Sequence, residues 1–149
     1  AQAALLDGWR LEEWEPLLDD EAEYLVPPIG VPEAEHLSPG ETMFIVAESR
    51  QMLAARVERM MGKAGFAELP RSNVRHLIGN VQVLADEGAS VKVSYNLCVY
   101  RIRRAVITTY IGRCLLTLTR SDGGFRIREK RVMLDIDVLK GQGGLSIIL

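Results

Sequence analysis

Apolar positions recur with two different periods along the 149-residue chain: helical spacing in the first 61 residues, and every second residue from about residue 72 onward. Leu5, Leu6 and Trp9 can share one face of a first helix, which Asp7-Gly8 breaks or bends because glycine is a poor interior residue. Leu11, Trp14, Leu17 and Leu18 predict a second helix, with Glu12, Glu13 and Glu15 on its other side. Pro16 removes an amide donor there, so this helix should be short or kinked. Residues 22–26 (AEYLV) read as a strand ended by Pro27-Pro28. Residues 27–40 hold four prolines and two glycines and predict an ordered loop. After a short apolar piece at Met43–Val46, Met52, Leu53, Val57, Met60 and Met61 form one stripe of a helix over 48–61, with Gly62 as its terminator.

The later pattern predicts long strands. Val91, Val93, Tyr95, Leu97 and Val99 alternate with Lys92, Ser94 and Asn96, as in a half-buried strand that follows a turn at 86–89. Residues 106–119 form a run rich in Val, Ile, Thr and Tyr, and Ser121–Gly124 (SDGG) is a hairpin signal. Four consecutive strands imply an antiparallel, strongly bent meander. In the last of them Phe125 and Ile127 are apolar at odd positions, whereas Val132, Leu134, Ile136 and Val138 are apolar at even ones. A regular strand cannot keep both sets on one face, so a β-bulge is expected near Arg128–Arg131. Helices followed by a curved antiparallel sheet give an α+β fold, with the helices against the concave face.

Composition then removes whole classes of function. Hydrophobic residues are 48% and charged residues 26% of the chain, as in an ordinary globular protein, and the length predicts a single domain over 1–149. The 18 basic and 20 acidic side chains leave a net charge of −2, too balanced for electrostatic binding to nucleic acid or to a membrane surface. No apolar run approaches the ~20 residues of a membrane helix. The opening AQAALLDGWR has no basic-then-apolar pattern, so no signal peptide and a cytoplasmic location are expected. Cys98 and Cys114 are the only cysteines, His36 and His76 the only histidines, and none has the spacing of a zinc, iron–sulfur or thioredoxin site. Phosphate-binding glycine motifs are absent as well. The chain itself is therefore expected to bind no metal and no cofactor.

Two groups of residues carry a resemblance. The first helix, its Asp-Gly break, Trp14, Asp19/Asp20 and Tyr24 resemble the start of the nuclear-transport-factor-like cone fold. The runs ELPRSNVRHLIGNVQV at 68–83 and VKVSYNLCVYRIRR at 91–104 are similar to the small (beta) subunit of bacterial aromatic-ring-hydroxylating dioxygenases. So are Gly112-Arg113, RSDGGFRIREKR at 120–131, Leu134-Asp135 and the closing LSIIL at 145–149. The resemblance implies a non-catalytic structural subunit, trimeric and joined to a large alpha subunit in an α₃β₃ hexamer. It implies that the Rieske [2Fe–2S] cluster and the mononuclear iron lie in that partner, which adds both atoms of O₂ to an aromatic ring with electrons from NAD(P)H.

A competing reading is a stand-alone dehydratase or isomerase in which His76 acts as acid or base inside the cone, with Asp20, Tyr24 and Tyr110 as possible companions. A non-catalytic small-molecule binding module would need the same cavity without the acid–base set. Against both stands a purely structural His76, hydrogen-bonded to a neighbouring strand or subunit. The strands are also rich in arginine, and Arg75, Arg103, Arg113 and Arg131 are interface candidates, since arginine is enriched where proteins meet. Cross-strand pairs with Glu129, Asp135 and Asp137 would account for such residues equally. The aliphatic tail, Leu145, Ile147 and Leu149, needs cover from its own sheet or from a neighbouring subunit.

Overall fold

The computed structural model describes residues 1–62, 70–135 and 145–149. The first half folds as the periodicity predicts, with shifted boundaries. Helix α1 (Gln2–Asp7) stops at Gly8, and α2 (Leu11–Trp14) is a single turn that passes into a 3₁₀ turn at Glu15–Leu17, where Pro16 sits. The chain becomes extended at Leu18, so β1 (Leu18–Val26) begins four residues before the expected strand. Part of the segment expected to begin the long helix is instead a short strand, β2 (Val46–Ser49), because it pairs antiparallel with the end of β1. Helix α3 (Arg50–Met61) then starts with the Ser49 hydroxyl accepting the Met52 amide hydrogen bond. Leu53 and Val57 of its stripe are buried and Met60 and Met61 pack half-buried, but Met52 faces solvent.

Strands β3 (Asn73–Asp86), β4 (Ser90–Arg103), β5 (Val106–Ser121) and β6 (Gly124–Leu134) form the expected antiparallel meander. The sheet as a whole is not purely antiparallel. Its order is β2-β1-β6-β5-β4-β3, and β1 runs parallel to β6. The cause is connectivity: β1 enters beside a strand made more than a hundred residues later, not beside a hairpin partner. The bulge lies where the face switch required it. Thr117 pairs with Glu129 and Leu118 with Ile127, leaving Arg128 as the extra residue. Ile127, Val132 and Leu134 all reach the interior as a result. Ile136, Asp137 and Val138, like Glu68 and Leu69, lie outside the described residues.

The concave face holds the core. Tyr95, Leu97 and Val99 of β4, Tyr110 and Cys114 of β5, and Tyr24 of β1 meet Leu6, Trp14 and Leu53 from the helices. Residues Leu145, Ile147, Ile148 and Leu149 pack into the same cluster and are all buried. Gly112 is a point of forced approach. A Cβ there would lie 2.1 Å from the Met133 carbonyl oxygen, so β5 and β6 can cross this closely only at a glycine.

Candidate partner interface

The interior of the cone is occupied. His76 points inward, since it pairs with Val99 on the buried face of β4, and its Nδ1 lies 2.6 Å from Asp7 Oδ1. The Asp7 carboxylate also accepts the His76 backbone N–H at 3.0 Å. Burial lowers the His76 pKa below its ordinary value against the pull of Asp7, which favours the neutral ring. The companions proposed for it lie elsewhere. Asp20 is on the surface, 3.9 Å from Arg126, because its β1 position points to solvent. The Tyr24 hydroxyl accepts the Leu149 N–H at 3.2 Å, and Tyr110 lies two strands along the sheet from His76, beyond Val99. Asp7 thus takes the place foreseen for Asp20. Only the three-dimensional fold brings it there, since as a sequence feature it is the end of a helix. A void lined by Leu6, Trp9, Val74, Ile147 and Ile148 measures about 10 Å³, room for roughly one water and not for a substrate.

Lys130 is a second ionisable group inside. It is 3% exposed, and its Nζ donates to Gln2 Oε1 at 3.3 Å. Desolvation lowers its pKa to about 8. Cys114 is buried and its thiol is pushed up by that burial. Cys98 points to the opposite face of the neighbouring strand, so the two sulfurs cannot share a ligand. Among the described residues no group of three or more His, Cys, Asp or Glu could hold a metal ion. The donor set fits neither a Rieske cluster nor a mononuclear iron.

The convex face is where apolar surface remains uncovered. The loop over 27–40 closes this face above β1 and β6. Arg131 pins it there by donating to the carbonyls of Ala34 (3.0 Å) and Leu37 (2.7 Å), while its Nε holds Glu129 at 2.9 Å. Above β3, β4 and β5 none of the described residues closes it. Register puts Leu77, Cys98 and Ile111 in one outward row, Arg75, Tyr100 and Thr109 in the next, and Asn73, Ile102 and Ile107 in a third. Leu77 is 57% exposed and Ile107 63%, and Tyr100, Ile102 and Ile111 are exposed with them. Among the described residues strand β3 is in addition an unpaired edge, with Val81, Val83 and Leu84 exposed. A groove of about 830 Å³ runs from this patch to the loop, between Leu77, Cys98 and Ile111 on one wall and Pro28, Val31 and Ala34 on the other. Arg113 and Asp135 lie at its polar rim.

The arginines foreseen at an interface divide accordingly. Arg75 and Arg113 are exposed on the outward rows, and Arg103 is half-exposed at the end of β4. Arg131 is buried and engaged within its own chain, as are Leu145, Ile147 and Leu149. Own-chain packing therefore covers the aliphatic tail, and no neighbouring subunit is needed for it. The outward patch was not foreseen. Its signal in the sequence is apolar residues at both parities between 106 and 112, where a half-buried strand would alternate.

The sequence profile that describes ring-hydroxylating beta subunits matches residues 1–141. The chain belongs to that family. The small oxygenase component of the p-cumate 2,3-dioxygenase system of Pseudomonas putida is 36% identical over 148 residues, covering 99% of this chain and 81% of that protein. A naphthalene 1,2-dioxygenase structure with indole in its active site superposes with a TM-score of 0.82 at 20% identity, over 99% of this chain and 80% of that one. The beta subunit of benzoate 1,2-dioxygenase from Burkholderia mallei superposes with a TM-score of 0.74 at 22% identity, over 91% and 87%. The cone architecture is that of nuclear-transport-factor-like proteins, as the resemblance implied. The chain is thus the small subunit of an aromatic-ring-hydroxylating dioxygenase, and its partner is a large alpha subunit. Among the described residues no helix is long and apolar enough to cross a membrane.

Proposed function

We propose that this beta subunit is a single-domain, non-catalytic organiser of a cytoplasmic α₃β₃ dioxygenase. In this reading the Rieske cluster and the iron that add O₂ to the ring belong to the large subunit. One observation carries it: the apolar surface left over after folding faces outward on β3–β5, while the cone interior is filled by Trp14, Tyr24 and the 145–149 segment. An outward patch of this kind is what an obligate interface of more than ~2,000 Å² would use at its centre. The relative from Pseudomonas putida makes p-cumate the first substrate to assay. Co-expression with the cognate large subunit should give a stable complex whose light-scattering mass corresponds to three copies of each and which hydroxylates the ring. A large subunit that is stable and fully active alone, beside a beta subunit that never joins it, overturns the proposal.

A further inference from the structure

The dipeptide Asp-Gly occurs at 7–8 and again at 122–123, and the fold treats the two copies in opposite ways. Asp7 ends helix α1. Its carboxylate is held by the His76 ring at 2.6 Å and by the His76 N–H at 3.0 Å, and the Gly8 N–H donates to the Ala4 carbonyl at 3.0 Å. The two groups that could react with each other there are each tied to another partner. Asp122 and Gly123 form the whole connection between β5 and β6, since Ser121 and Gly124 on either side of them are already paired. Both are exposed, and neither the Asp122 carboxylate nor the Gly123 N–H makes a hydrogen bond or ion pair among the described residues. Gly123 stands at φ 89°, and the place of its absent Cβ has no atom within 4 Å.

We propose that Asp122 is a site of spontaneous backbone modification, where the Gly123 amide nitrogen captures the aspartate carboxyl carbon and the link becomes isoaspartyl. The bond formed is from the Gly123 nitrogen to Asp122 Cγ, closing a cyclic imide. The amide proton and the carboxyl OH leave as water. Water then returns at either imide carbonyl, and at one of them it leaves the main chain running through Cγ. One water is lost and one regained, so no oxidant, metal or second protein takes part. Glycine makes the ring reachable, because it has no side chain in the path and rotates through conformations closed to other residues. At Asp7 the same ring closure requires the helix end to open and both bonds to His76 to break first. The isoaspartyl form carries an extra main-chain atom, for which a two-residue connection has no slack. The Ser121–Gly124 pair should therefore open, and with it the contact of the Arg120 guanidinium over the Phe125 ring at 5.1 Å. The opening stops at Thr119, whose hydroxyl donates to Asp19 at 2.7 Å.

The test is ageing of the whole small subunit at neutral pH and physiological temperature, read by peptide mass spectrometry. Isoaspartyl groups are counted by methyl transfer from S-adenosylmethionine with a purified isoaspartyl methyltransferase. The peptide spanning 122–123 should split into two forms of equal mass, with a minor imide form lighter by about 18 Da. The peptide spanning 7–8 should convert at least ~10-fold more slowly. In denaturant, where neither the helix nor the bonds to His76 survive, the two dipeptides should convert at similar rates. Asp122→Asn sends the same ring closure through loss of ammonia and should gain about 1 Da on hydrolysis. The absence of an isomeric 122–123 peptide, an equal rate at Asp7 in the folded chain, a rate difference that persists in denaturant, or an Asp122→Asn variant that keeps its mass each overturns the proposal.

Discussion

Asp7 holds His76 by two bonds at once, one from the ring Nδ1 at 2.6 Å and one from the backbone N–H at 3.0 Å. A helix end and an edge strand 69 residues apart are joined by this one carboxylate. The role it supports is structural. His76→Ala should cost about 2 kcal/mol, the worth of a hydrogen bond to a charged group, and lower the melting temperature by several degrees. Dioxygenase turnover per assembled complex should stay at the wild-type level. A fall in turnover with assembly intact would return His76 to an acid–base role.

The same pair sets a pH dependence. The folded-state pKa of His76 is lowered, so between that value and the unfolded 6.5 the unfolded chain binds more protons. Stability should therefore rise with pH through this window and fall as the solution is acidified below about 6.5. Denaturant titrations between pH 5 and 7.5 should show this slope flattened in His76→Ala.

Lys130 makes an opposite region of the pH scale informative. Its pKa is about 8 in the fold against 10.5 as a free side chain. Stability should rise as pH increases from 8 toward 10.5, by about 3 kcal/mol across the full interval. Measurements belong between pH 7 and 9.5 in a Cys114→Ala background, because the raised Cys114 thiol contributes a slope of opposite sign there, and before the buried tyrosines begin to ionise in the unfolded chain. Lys130→Met should be more stable than wild type at pH 7 and should lose the slope. No rise over this interval in the Cys114→Ala background would show that the ammonium is better solvated than its 3% exposure indicates.

Gly112→Ala is expected to cost about 3 kcal/mol, because the new methyl meets a backbone carbonyl at 2.1 Å that only a shift of β6 can relieve. Gly79→Ala, with nothing within 4 Å of the added Cβ, is the matched control and should leave the melting temperature nearly unchanged.

The outward patch predicts a different signature. Leu77→Asp and Ile111→Asp should leave the melting temperature of the isolated subunit within a degree or two, since both side chains are already exposed. Recovery of the assembled complex should drop at least tenfold. Normal assembly in both variants would move the interface off this face.

Much of the fold could be read from residue pattern, and the reasons for the exceptions are physical. The period-two alternation of Val91–Val99 reports a single buried face, and the parity change between Ile127 and Val132 reports a bulge, because both are properties of consecutive residues. The parallel pairing of β1 with β6 is a property of two distant segments and leaves no trace in either. Asp7 was equally hidden: its partner is far along the chain, and a carboxylate before a glycine reads as a helix end. The apolar residues at both parities of 106–112 were visible but not diagnostic, since a strand buried on both faces gives the same pattern. The arginines named from sequence divide by depth, with Arg131 inside and Arg75 and Arg113 outside, and a residue type cannot report depth.

The parallel β1–β6 pair also bears on the order in which the chain acquires structure. Strands β3 to β6 pair with their neighbours in sequence through short turns, so their contacts close small loops. Joining Leu25 to Arg131 closes a loop of more than a hundred residues, and pairings of that kind are slow to form. The meander, with its uncovered apolar rows, should therefore assemble before the cone is sealed. A newly made small subunit should then offer its apolar face while its interior is still open, the stage at which prompt capture by a partner would guard it against aggregation.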